Sequence, residues 1–148
     1  ATTLGVRLMD LASLLSDADY VTVHTPLNQQ TQGLIGADQF AAMKRNAFII
    51  NCARGPIIDE TALYVALRDG LIAGAGLDVM EQADPPVNHP IFTLDNVLIT
   101  PHVAFLSQQS VQELEVRTAQ ATVDVLQGRM PEFLVNPPVL PHARVKLS

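Results

Sequence analysis

The stretch Ala47-Phe48-Ile49-Ile50-Asn51-Cys52-Ala53-Arg54-Gly55-Pro56-Ile57-Ile58-Asp59-Glu60 decides the fold. Its first five residues, four of them apolar, form a run of strand length, and the segment from about Glu60 to Arg68 reads as a helix. Asp59 stands where its carboxylate can cap that helix, and Gly70 follows its end, so both boundaries are signalled. A buried strand that passes through a tight turn into a capped helix is the repeating unit of a parallel sheet.

The pattern repeats outward from there. Upstream, Tyr20-Val21-Thr22-Val23-His24 reads as a strand, and Ala37 to Met43 as a short helix with Phe40 and Met43 on one face. Downstream, Ile72 to Val79 reads as a third strand despite Gly74 and Gly76, whose missing side chains let a helix or a ligand lie close to the backbone. Asn96 to Thr100 reads as a fourth. Unbroken apolar strands separated by helices imply a parallel sheet covered on both faces. The last helix is capped by Ser107, carries Val111, Leu114, Val125 and Leu126 on an apolar stripe, and stops at Gly128 and Pro131. Pro137, Pro138 and Pro141 then punctuate a tail without regular structure of its own. The expected organisation is an α/β fold: a partial Rossmann-like parallel sheet over residues 1–106, a long helix over 107–128 and an extended tail over 129–148.

Composition fits one globular α/β domain, since 48% of the 148 residues are apolar and 16% are charged. A net charge of −6 disfavours nucleic acid and acidic membrane surfaces as partners, and no uncharged apolar run is long enough to span a bilayer. The single cysteine, Cys52, cannot form an internal disulfide. At what reads as a buried strand end it is expected to be a reduced, inert thiol of a cytoplasmic protein. No metal site is expected.

In parallel sheets ligands bind beyond the carboxyl ends of the strands. That rule selects Thr25, Pro26 and Leu27 after the first strand, Asn51 to Arg54 after the second, Asp78 at the third, and Thr100 to His102 at the fourth. Arg54 is flanked by the small residues Ala53 and Gly55, and its planar fork suits a carboxylate held by two hydrogen bonds. His102 stands 48 residues later, behind Pro101, and can donate or accept a proton. Spacing alone is equally compatible with a structural ion pair at Arg54 and a satisfied polar histidine at a strand end.

The neighbouring residues are more specific. Asn51-Cys52-Ala53-Arg54-Gly55-Pro56-Ile57-Ile58-Asp59-Glu60-Thr61-Ala62-Leu63, then Ala73-Gly74-Ala75-Gly76-Leu77-Asp78-Val79, then Asn96-Val97-Leu98-Ile99-Thr100-Pro101-His102 resemble the D-isomer-specific 2-hydroxyacid dehydrogenase family. Val23-His24-Thr25-Pro26-Leu27 and Leu134-Val135-Asn136-Pro137 look like it too. Ser107 to Thr122 leans toward its phosphoglycerate dehydrogenase and C-terminal-binding-protein-like branches. The resemblance implies a cytoplasmic, homodimeric oxidoreductase that uses NAD or NADP on a small 2-keto or 2-hydroxy acid. Arg54 matches the arginine that holds the substrate carboxylate, and His102 matches the acid/base. Asp78 matches the aspartate facing the nicotinamide amide, while Thr25, Pro26 and Cys52, with Arg54 and His102, match positions that line the cofactor.

One position departs from the family. A glutamate normally pairs with the histidine, 29 residues after the arginine, and here that slot holds Ala83. Glu81 and Asp84 flank it as possible substitutes. Otherwise the departure implies a slow enzyme, or a relative that has exchanged catalysis for a corepressor-like interaction role. A second departure is the glycine loop that cradles the pyrophosphate: Gly33, Gly36, Gly55, Gly74 and Gly76 do not compose a G-x-G-x-x-G sequence. By resemblance this is the second half of a dinucleotide-binding domain, and the isolated chain is expected to be inactive.

Overall fold

The computed structural model describes residues 2–144, 146 and 147, which form two compact units, Ala1–Ala104 and Phe105–Ser148. The first holds an all-parallel sheet in the order β1-β2-β3-β4, with β1 at Tyr20–Val23, β2 at Phe48–Asn51, β3 at Gly74–Leu77 and β4 at Val97–Ile99. All four expected strands are present. Each is shorter than expected, most of all β3, because only the residues between the flanking turns complete ladder pairs.

Register aligns Val21, Ile49, Ala75 and Val97 in one row and Val23, Asn51, Leu77 and Ile99 in the next. The same side of the sheet receives α1 (Leu11–Asp17), α2 (Ala37–Ala42) and α3 (Glu60–Arg68), whose Leu15, Phe40, Leu63, Ala66 and Leu67 join the strand residues in one buried cluster. Asp59 caps α3 as expected, accepting from Ala62 N at 2.9 Å, and Gly70 beyond its end takes a φ of +65°. Helix α1 has no counterpart in the sequence reading. It is seven residues long with only Leu15 buried, so it leaves too little periodic pattern to detect, although Asp10 caps it through Ser13 N at 2.9 Å.

Within this unit the expected two-sided cover is not observed. On the opposite face Tyr20 and Leu98 are each 71% exposed and Phe48 is 39% exposed, with Tyr20 and Phe48 stacked at 5.6 Å. The topology gives the reason. Sequential parallel strands joined by right-handed crossovers place every connection on one side, and covering the other requires a chain reversal at a topological switch point, which these four strands lack.

In the second unit α4 spans Gln108–Leu126, with Ser107 accepting from Ser110 N at 3.0 Å as its cap. None of its residues is buried, so the stripe of Val111, Leu114, Val125 and Leu126 is not a core face within this unit. The tail, expected to lack regular structure, carries a 3-10 helix at Pro137–His142, which its prolines start from fixed φ values. No described helix is long and apolar enough to cross a membrane.

Candidate functional site

Asn51 closes β2 and is 1% exposed. Its side-chain oxygen accepts from Ala53 N at 3.0 Å and its amide nitrogen donates to the Arg54 carbonyl at 3.0 Å. The side chain thereby imitates a backbone turn and fixes residues 51–54. Arg54 leaves this turn exposed, donating from Nη1 to the Ala53 carbonyl at 2.6 Å, and makes no ion pair among the described residues. The structural ion pair open at the level of spacing is therefore not formed. Cys52 is exposed rather than buried, since the chain has already left the sheet at Asn51.

The loop after β3 comes back against this turn. Gly55 is buried with its Cα facing the Met80 carbonyl. Glu60, at the start of α3, holds the same loop from the side: Oε2 accepts from Glu81 N at 2.9 Å, and Oε1 meets His89 Nε2 at 2.9 Å. Two anchors therefore set where Glu81, Ala83 and Asp84 lie.

Asp78 is 4% exposed at the end of β3. Its Oδ1 accepts from the Thr100 hydroxyl at 2.5 Å and from Val103 N at 2.9 Å, and its Oδ2 accepts from Ala104 N at 3.0 Å. Between these donors stands His102, whose amide donates to the Thr100 carbonyl at 3.0 Å and whose φ is 56°. That left-handed conformation is uncommon outside glycine, though histidine is among the residues that tolerate it best. Burial alone would raise the Asp78 pKa, but the Thr100, Ala104 and Val103 hydrogen bonds, with the nearby His102 charge, hold it below the ordinary 3.8. A carboxyl depressed on folding stabilises the folded state above its unfolded pKa, and that contribution is lost as pH falls through the folded value. Asp78→Asn should therefore flatten the decline in melting temperature below about pH 4, where the unfolded carboxylate begins to protonate. Parallel melting curves of the two proteins from pH 6 to pH 2 would contradict this.

Arg54, Asp78, Thr100 and His102 line one cavity of about 610 Å³, together with Glu81, Ala83, Asp84 and the apolar Met80, Phe92 and Ile99. A second cavity of about 470 Å³ is lined by His24, Thr25, Pro26, Leu27, Ala53 and Arg54, so Arg54 borders both. Thr31 fastens the loop that carries Thr25 and Pro26, donating its hydroxyl to the Pro26 carbonyl at 2.6 Å while accepting from Asn28 N at 2.9 Å. Cys52 lines neither cavity. Sequence reasoning places Asn51 at the ligand edge without the turn it fixes, and gives Glu60 no part. An asparagine ending a buried strand three residues before an exposed arginine was the available signal for the first. For Glu60 there was none, because its partners lie 21 and 29 residues away along the chain.

Residues 1–104 match the family described as D-isomer specific 2-hydroxyacid dehydrogenase, NAD binding domain. A D-3-phosphoglycerate dehydrogenase of Methanocaldococcus jannaschii is 42% identical over 146 residues, covering 98% of this chain and 28% of that protein. Among solved structures, D-lactate dehydrogenase with NAD+ from Lactobacillus jensenii superposes with a TM-score of 0.80 at 34% identity, over 86% of this chain and 42% of that one. A D-isomer specific 2-hydroxyacid dehydrogenase from Xanthobacter autotrophicus Py2, in complex with NADPH and MES, gives 0.73 at 38% identity, over 86% and 52%. The chain thus spans from about a quarter to about half the length of these relatives. With its parallel sheet, its Arg54 turn and its Asp78–Thr100 link, the chain belongs to the D-isomer-specific 2-hydroxyacid dehydrogenases, as part of their NAD- or NADP-binding region.

Proposed function

We propose that the protein of which this chain forms part interconverts a small 2-keto acid and a D-2-hydroxy acid with NAD or NADP. One observation carries the reading: a single cavity at the carboxyl ends of the strands holds Arg54 and His102 together. Arg54 has guanidinium donors to spare for a substrate carboxylate, and its fixed turn would present the substrate in one orientation. The same positive charge favours the oxyanion that develops on the carbonyl oxygen during reduction. His102 then gives that oxygen a proton, and in the reverse direction removes it from the hydroxyl. When bound, the cofactor supplies or accepts the hydride. The residues present suit its nicotinamide end. Asp78 Oδ2 receives one donor and retains an acceptor position that a carboxamide N–H could fill, and Thr25 and Pro26 border the adjoining cavity.

Ala83 lines the cavity without a carboxylate, and Glu81 and Asp84 line it on either side. In this reading one of those two carboxylates orients the His102 imidazole in place of the family's glutamate. The test is oxidation of NADH and NADPH by the full-length protein with a panel of short 2-keto acids, glyoxylate and hydroxypyruvate among them. Turnover with at least one is expected. No turnover with any would overturn the reading in favour of a dehydrogenase-like interaction protein, the alternative that Ala83 specifically supports.

A further inference from the structure

We infer that Asp78 is a positioning residue for His102, holding the acid/base in place through a carboxylate clamp on the turn that carries it. The inference rests on the dehydrogenase reading, and it gives Asp78 a role separate from any contact with cofactor. Three donors reach this one carboxylate, and they bracket His102 in the chain: Thr100 before it, Val103 and Ala104 after it. All three come from the segment that follows β4, while Asp78 directly follows the last residue of the neighbouring strand β3 and is held to the sheet by its own amide, which donates to the Asn51 carbonyl of β2 at 2.9 Å. The clamp therefore ties the His102 turn to the rigid sheet rather than to another loop.

The unusual backbone at His102 follows from this arrangement. Successive amides converge on one anion readily where a residue beside them turns left-handed, as in the backbone concavities that bind anions. His102 takes that conformation at φ 56°, and the two amides after it both point to Asp78. The clamp thus offsets a backbone conformation that would otherwise be unfavourable, and with it the histidine side chain is fixed over the cavity. The other charged groups lining that cavity are Arg54 from the β2 turn and Glu81 and Asp84 from the loop after β3.

Thr100 allows the clamp to be tested apart from the cofactor, because its hydroxyl acts on Asp78 itself. In the full-length protein, steady-state kinetics would be measured for D78N, T100V, T100S and H102Q, with melting temperatures alongside. Displacement of a catalytic group by about 1 Å can cost about 10²-fold in rate. D78N is therefore expected to lower kcat by about 10²-fold and T100V by about 10-fold, each with the 2-keto acid KM changed by less than about threefold. T100S, which restores the hydroxyl, should recover most of the T100V loss. If H102Q abolishes turnover while D78N and T100V keep wild-type kcat, the clamp is overturned and the dehydrogenase reading stands. If T100V lowers the melting temperature and leaves kcat intact, the contact is structural only and the inference fails. If H102Q itself turns over normally, the acid/base reading fails, and this inference with it.

Discussion

His102→Ala in the full-length protein is expected to lower kcat for 2-keto acid reduction by about 10²- to 10⁴-fold, the usual contribution of a positioned acid or base. On the proposed assignment the keto acid KM should change far less, because Arg54 would hold the carboxylate and the imidazole would act chiefly as the alkoxide forms. Arg54→Lys offers the contrasting signature. A lysine keeps the charge but loses the planar fork, so KM should rise with a smaller effect on kcat. The two side chains line one cavity yet leave from different strand ends, Arg54 from β2 and His102 from beyond β4, so either can be changed without moving the other's anchor. Stopped-flow or steady-state NADH oxidation at saturating substrate distinguishes the cases. Wild-type kcat in His102→Ala would mean that another group carries the proton, and the assignment built on the cavity would collapse.

The parts of this molecule that were legible in the sequence are those set by local pattern. Strand β2, the Asp59 cap and the Arg54 turn follow one another within a few residues, and each has its own chemical signature. Placement of Arg54, Asp78 and His102 at one cavity also follows, because parallel strands deliver their carboxyl ends to the same edge. What escaped depends on contacts between distant positions. Glu60 reaches Glu81 and His89 across a segment with no periodic pattern, and Asp78 meets Thr100, Val103 and Ala104 from the neighbouring strand. The one-sided cover of the sheet was hidden for a similar reason. An apolar strand looks the same whether the second face is buried by this chain or left exposed, and only the order β1-β2-β3-β4 with its crossovers decides that. Cys52 shows the limit at single-residue scale, where the first residue beyond the strand end at Asn51 already turns outward and exposes a thiol expected to be buried.

Gly55→Ala is expected to damage both stability and activity through one contact. A Cβ on residue 55 would lie 1.9 Å from the Met80 carbonyl oxygen, 2.1 Å from its carbon and 2.5 Å from Glu81 N. All three are backbone atoms, so no rotamer change relieves the clash. The glycine side cannot retreat, since Asn51 pins the turn before it and Ile57, 0% exposed, locks the turn after it. The loop side is held as well: Asp78 N donates to the Asn51 carbonyl at 2.9 Å, and Glu81 N donates to Glu60 at 2.9 Å. Overpacking usually costs about 1–3 kcal/mol, and a backbone-on-backbone clash belongs at or above the top of that range. For a domain of about this size that corresponds to a fall of about 6–12 °C in melting temperature. Whatever separation the methyl forces also moves Arg54 away from Glu81, Ala83 and Asp84 across the cavity they share, so kcat/KM should fall by about 10²-fold even where the protein remains folded. Gly76→Ala is the matched control. Its Cβ would meet only the Ile50 side chain, at 3.8 Å and 3.9 Å, which is ordinary contact, and a change within about 1 kcal/mol is expected. If Gly55→Ala melts within 2 °C or so of the wild type and keeps its kcat/KM, the two loops do not approach as closely as described, and the cavity between them cannot be held by that contact.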